Sequence, residues 1–107
     1  MMSREFEIAL NLLERVKDRL SYLLNVEDRY ALKEAVRTVI DPVTACAYHV
    51  KVGEGPRKEE LLSVLLSLVR EMRDMKDINT LKDNVRKLLE ILDTIRQETL
   101  PVGEGGS

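Results

Sequence analysis

The sequence predicts an all-α protein, an antiparallel bundle of four helices, or of five if Pro42 breaks the second. Three observations carry that expectation. Apolar residues recur three and four apart through four successive segments, a spacing that lines one side of a helix. The intervening positions are mostly charged, with 34% Asp, Glu, Lys and Arg in the chain against 44% hydrophobic residues, so each segment has a wet side as well as an apolar one. Turn-forming runs, Asn25-Val26-Glu27-Asp28 and Gly53-Glu54-Gly55-Pro56, fall between segments and not within them.

Ser3 is placed to cap a first helix running to about Leu24, with Phe6, Ala9, Leu13, Val16, Leu20 and Leu23 as its seam. The turn at Asn25 to Asp28 supplies an Asn or Asp cap for the second helix, and so short a connection makes antiparallel neighbours. The second seam is Leu32, Val36, Val39, Val43, Cys46 and Val50. Pro42 lies within it, lacks an amide and clashes with the preceding turn, so a kink, or two short helices in line, is expected there. Gly53 and Gly55 are available for left-handed backbone, and Pro56 is expected at the first position of the third helix.

The third helix is expected from Pro56 to about Lys76, with Leu61, Leu65, Leu68, Met72 and Met75 on its seam. Ile78, Leu81, Val85, Leu88, Leu92 and Ile95 line the fourth, capped by Asp77 or Asn79 and ending before Pro101. The seam passes from Met75 to Ile78 in phase, so one continuous helix through Asp77 is the alternative. Residues 1–100 form one domain, and residues 101–107, without apolar periodicity, a flexible tail.

At 107 residues the chain is of single-domain length and buries roughly two-thirds of its unfolded surface. No apolar run approaches the ~20 residues of a membrane span, and the acidic amphipathic start at Met1 to Glu5 fits neither a secretory signal nor a transit peptide. A cytoplasmic protein is expected. Few amide side chains, no tryptophan and abundant Leu, Val, Glu and Arg give a composition like that of heat-adapted proteins. A net charge of −2 argues against coating nucleic acid by global charge, while leaving room for a local basic face.

Little in the chain points to catalysis. Cys46 is the only cysteine and His49 the only histidine, which excludes internal disulfides, cysteine clusters and paired-histidine metal sites within one chain. Cys46 lies on the seam, so a buried thiol is expected rather than a nucleophile assisted by His49. Glu59 and Glu60, like Glu27 and Asp28, are adjacent and point apart on a helix. No catalytic residue, metal, cofactor or small-molecule substrate is expected. The glycine turn before Arg57 and Lys58 can present amides and cations to an anion, yet lacks the Gly-Lys-Ser/Thr ending of a nucleotide-binding loop.

The pattern with most functional content is Arg29, Lys33 and Arg37, four residues apart and so stacked as a cationic row facing away from Leu32, Val36 and Val39. Such a row can follow a phosphate backbone, with Lys51, Arg57 and Lys58 extending it beyond Pro42. The bland reading is a solvated face paired with Glu34 or a neighbouring helix. Only Phe6, Tyr22, Tyr30 and Tyr48 are aromatic, so backbone contact without base stacking is the expected mode. Leu62, Leu66 and Val69 widen the third helix's apolar face, and Leu10, Leu12, Leu24, Leu89 and Ile91 lie off the seams. These second stripes point to protein partners or self-association, with Leu62, Leu66, Val69, Leu89 and Ile91 as the interface.

From Arg29 to about Thr99 the order of features resembles the small helical subunit of CRISPR-Cas effector complexes. A basic helix is followed by Asp41-Pro42 leading to Ala47-Tyr48, a glycine-containing turn at Gly53 to Pro56, and two final helices. The resemblance implies a non-enzymatic protein lining the belly of a ribonucleoprotein and touching the guide-target backbone, with Arg29, Lys33 and Arg37 as the contacting residues. The sequence-level expectation is thus a non-enzymatic subunit of a larger assembly that contacts RNA or DNA backbone. The alternative is a protein-binding module or homo-oligomeric adaptor that binds no nucleic acid.

Overall fold

The computed structural model describes residues 1–99 and is all-helical over them: α1 (Arg4–Leu23), α2 (Arg29–Arg37), α3 (Ile40–Val52), α4 (Lys58–Asp74) and α5 (Ile78–Thr99). The expected tail at 101–107 and the stop before Pro101 lie outside the described residues.

The bundle proper is made by α1, α3, α4 and α5, each antiparallel to the next around a ring that closes between α5 and α1. Cross-helix contacts fix the directions. Ser3 at the start of α1 meets Glu54 just beyond α3, Asn84 of α5 meets Ser67 of α4, and Lys17 of α1 meets Asp93 of α5. The expected antiparallel pairing of the first two segments is made by the second half of the second segment, since α1 packs chiefly against α3 and only lightly against α2. With nine residues, α2 is roughly 13 Å long, too short to run the length of the bundle. It lies across one end, starting against the α4–α5 turn through Arg29 and finishing beside α1.

The seams are the core. Every residue of the first three registers is buried, as are Leu81, Val85, Leu88, Leu92 and Ile95 of the fourth, while Ile78 is half-buried at its start. Of the off-seam residues, Leu10, Val69 and Ile91 are also buried, and Leu12, Leu24, Leu62 and Leu89 pack partly against the core. The second stripes are therefore largely absorbed, since a ring of four helices gives each member two neighbours and so two apolar edges. Asn84 is the one buried polar side chain among the described residues, donating to Ser67 Oγ at 2.9 Å.

The helix ends show why the chain turns where it does. Ser3 Oγ accepts from the Phe6 amide, and Asp28 Oδ2 from the Ala31 amide at 2.8 Å, each satisfying an orphan donor of a first turn. The break in the second register falls at Thr38 and Val39, where amides reach back three residues to Ala35 and Val36. Pro42 is thus the third residue of α3, where no intrahelical donor is needed. It neither kinks nor ends a helix.

The expectation for the turn before α4 is corrected. Neither glycine near Pro56 takes a positive φ; Arg57 does, at φ 58°, and α4 begins at Lys58 rather than Pro56. The glycines are needed for proximity instead. A Cβ on Gly55 would lie 2.3 Å from the Phe6 ring, and one on Gly53 would lie 2.7 Å from the Phe6 amide nitrogen. Helices α4 and α5 are separate, because Met75 adopts left-handed backbone at φ 51° while Asp77 Oδ1 accepts from the Thr80 amide and starts α5.

Candidate nucleic-acid interface

The row on α2 keeps its four-residue spacing, and Arg29, Lys33 and Arg37 are all exposed. It does not face wholly away from the core as expected: Arg29, seven residues before Val36, lies on the same side of the helix as Val36, and the row turns progressively away from that side through Lys33 to Arg37. Their surroundings differ. The Arg29 guanidinium donates to the Met75 carbonyl, an acceptor left over by the end of α4. That contact leaves its positive charge uncompensated. Arg37 is paired at 3.6 Å with Glu34 on its own helix, an exposed i,i+3 pair of small worth. Lys33 has no ion-pair partner among the described residues.

Arg57 and Lys58 do not continue this row. They sit at the opposite end of the bundle, where α1 starts and α5 finishes, and both are neutralised. Arg57 donates to both carboxylate oxygens of Glu98 at 3.1 and 3.0 Å, and Lys58 to Glu54 at 2.9 Å. The hydrogen bonds and charge of this bidentate pair raise the Arg57 pKa further and hold the Glu98 carboxyl below its ordinary value. Lys51 also lies away from α2, near the C-terminal end of α3, and is exposed.

Lys51 belongs to a different surface. A groove of about 270 Å³ runs between α3 and α4, with Tyr48 and Lys51 on one side, Leu66, Arg70 and Arg73 on the other, and Val69 at its floor. No carboxylate lines it, and Lys51, Arg70 and Arg73 have no ion-pair partner among the described residues. Tyr48 and Leu66 are 61% and 52% exposed, large fractions for apolar bodies beside a cationic rim. Arg73 precedes by two residues the Met75 carbonyl that holds Arg29, so the groove and the α2 row approach one another at the α4–α5 turn. By contrast, the groove between α4 and α5 mixes Glu60 and Glu90 with Lys87 and carries no such bias.

Sequence reasoning did not single out Arg70 and Arg73. Their signal is a 4-3 spacing, Leu66-Arg70-Arg73, matching Thr44-Tyr48-Lys51 on α3; only the antiparallel packing of α3 on α4 brings the two together. Of the expected interface residues, Leu66 is exposed, Leu62 and Leu89 are half-buried, and Val69 and Ile91 are buried.

The groups that resemble catalytic machinery have structural partners. Cys46 is fully buried, its Sγ donates to the Ala9 carbonyl, and burial pushes its thiol pKa up to about 12. His49 Nδ1 is 2.6 Å from Glu5 Oε2, a contact tying α3 to the first turn of α1. No group of three metal-ligating side chains converges among the described residues, and no helix there is long and apolar enough to cross a membrane.

Comparison with protein-family models, with curated proteins and with solved structures finds no match to this chain. The residues themselves carry the functional reading.

Proposed function

We propose that this chain is a non-enzymatic, cytoplasmic helical subunit of a larger assembly, a ribonucleoprotein, that contacts nucleic-acid backbone through the basic row on α2. The observation that carries the reading is the set of exposed cations on α2 and α4 that have no carboxylate partner. Arg29 and Lys33 on α2, with Arg70 and Arg73 on α4, face solvent without carboxylate partners among the described residues, whereas Arg57 and Lys58 at the far end are paired. Unpaired cations also occur elsewhere among the described residues, Arg4, Arg15 and Lys87 among them; Arg70 and Arg73 differ in lining, with Lys51, a groove that no carboxylate enters. A run of open cations favours a polyanion, whose bound counterions are released on contact. The α2 row touches phosphates and reads no bases, as expected of residues that position a subunit on a strand.

The adaptor alternative has less behind it, because Val69 and Ile91, on which it leaned, are buried within the single chain. The test is retention on immobilised RNA at low salt. Charge reversal at Lys33 and Arg37, and the triple reversal including Arg29, should abolish retention with helicity unchanged by circular dichroism. The double variant is the safer one, since Arg29 also holds the Met75 carbonyl. Retention equal to that of the unaltered protein would overturn the proposal.

A further inference from the structure

We infer that the α3–α4 groove is a seat for one unpaired nucleobase, with Tyr48 as the stacking face and Lys51, Arg70 and Arg73 holding the flanking phosphates, so that the protein takes single-stranded nucleic acid in preference to duplex. This rests on the proposed nucleic-acid function and deepens it. Against the scarcity of aromatic residues stands the placement of Tyr48, which lines one groove with Lys51, Arg70 and Arg73.

Four observations converge on that occupant. Tyr48 is 61% exposed although it sits mid-helix beside the core, and aromatic rings left open beside cations are the recurring platform for bases of a single strand. The groove, about 270 Å³, falls just below the range of ~300–1,000 Å³ typical of small-molecule clefts, which suits one planar ring. Arg70 and Arg73 are i,i+3 neighbours and present two guanidinium groups along the groove wall. Lys51 stands one turn from Tyr48 on the facing helix, so cations bracket the ring from both sides.

An acidic helical peptide fits less well. Helix-in-groove recognition needs apolar anchors at i, i+3 or i+4, and i+7, and this groove exposes a single apolar pair, Tyr48 and Leu66. Duplex ends or backbones would reach the cations but would leave the Tyr48 ring unstacked.

The experiment is fluorescence anisotropy with a labelled single-stranded oligouridylate, an abasic strand of equal length, and a duplex. Tyr48→Leu should weaken the oligouridylate about tenfold, leave the abasic strand unchanged, and be rescued by Tyr48→Phe. Arg70→Glu with Arg73→Glu should weaken both strands. Equal affinities of Tyr48→Leu and the unaltered protein for oligouridylate would overturn the stacking seat while leaving the backbone-binding function standing. Binding of none of the three nucleic acids would overturn both. Displacement by an acidic peptide at the concentration at which free oligouridylate displaces would assign the groove to a protein segment instead.

Discussion

The Arg19 guanidinium donates to the Thr38 carbonyl at 3.1 Å, across the break between α2 and α3. In an uninterrupted helix that carbonyl would accept from the amide of residue 42, which is Pro42 and has none. Arg19 of α1 supplies the donor that proline lacks, and so fixes where the end helix joins the bundle. Pro42, in the first turn of α3, is well placed for its fixed φ.

Replacing it should therefore gain nothing. Pro42→Ala is expected to lower stability by about 0.4–1 kcal/mol through the greater freedom of the unfolded chain. Proline introduced at Ala47, in the interior of α3, should cost ~3 kcal/mol or more. Urea unfolding of the two variants checks the contrast. A Pro42→Ala protein more stable than its parent would mean that Pro42 strains the junction.

Gly55 is required by the proximity of the Phe6 ring. Gly55→Ala should destabilise by about 1–3 kcal/mol, the usual cost of forcing an added methyl into a packed site, with an unchanged denaturant slope. Gly53→Ala meets the Phe6 amide nitrogen and the His49 carbonyl, at 2.7 and 2.9 Å from the added carbon. Backbone atoms yield less than side chains, so its cost should be at least as large. Variants as stable as the parent would show that the α3–α4 turn closes differently on α1.

Burial of Cys46 makes stability depend on alkaline pH. Its pKa is raised from 9.0 to about 12, so above pH 9 the unfolded chain gives up a proton that the folded one keeps. Stability is whole below pH 9 and falls between 9 and about 12, by at most about 1.4 kcal/mol per pH unit from this group. Comparison with Cys46→Ala across that range isolates the thiol from the lysines and tyrosines. In native protein at pH 7 the thiol should resist alkylation until the chain unfolds.

Asp77 acts in the opposite direction. Hydrogen bonds from the Thr80 amide and hydroxyl lower its pKa below 3.8. Its folded pKa being depressed, the stability it contributes is present above 3.8 and is lost as pH falls through the lower, folded value. Thermal melts of Asp77→Ala and the parent should differ at neutral pH and converge in acid. A gap independent of pH would place the stabilisation in something other than the carboxylate.

The core was legible in the sequence because its signal is local. Three-and-four spacing fixes which side of each helix is dry, and Phe6 through Ile95 follow it almost without exception. Caps at Ser3, Asp28 and Asp77 were equally local. The break at Thr38 was misplaced because Pro42 is compatible with both a kink and a first turn, and the hydrogen bonds that locate it, from the Thr38 and Val39 amides and from Arg19, leave no local mark in the sequence. The cationic surfaces were the least legible. Arg57 and Glu98 are 41 residues apart, and nothing in their neighbourhoods announces that one neutralises the other. Tyr48 and Arg70 likewise become neighbours only when α3 lies antiparallel to α4.

The central claim is that open cations on α2 contact phosphates, and the salt dependence of binding tests it most directly. Each phosphate contact to a single strand contributes about −0.7 to the slope of log K against log salt. Reversing Arg29, Lys33 and Arg37 should lower the magnitude of that slope by about 2, with weaker binding at every salt concentration. A slope and affinity unchanged by the three reversals would contradict the account.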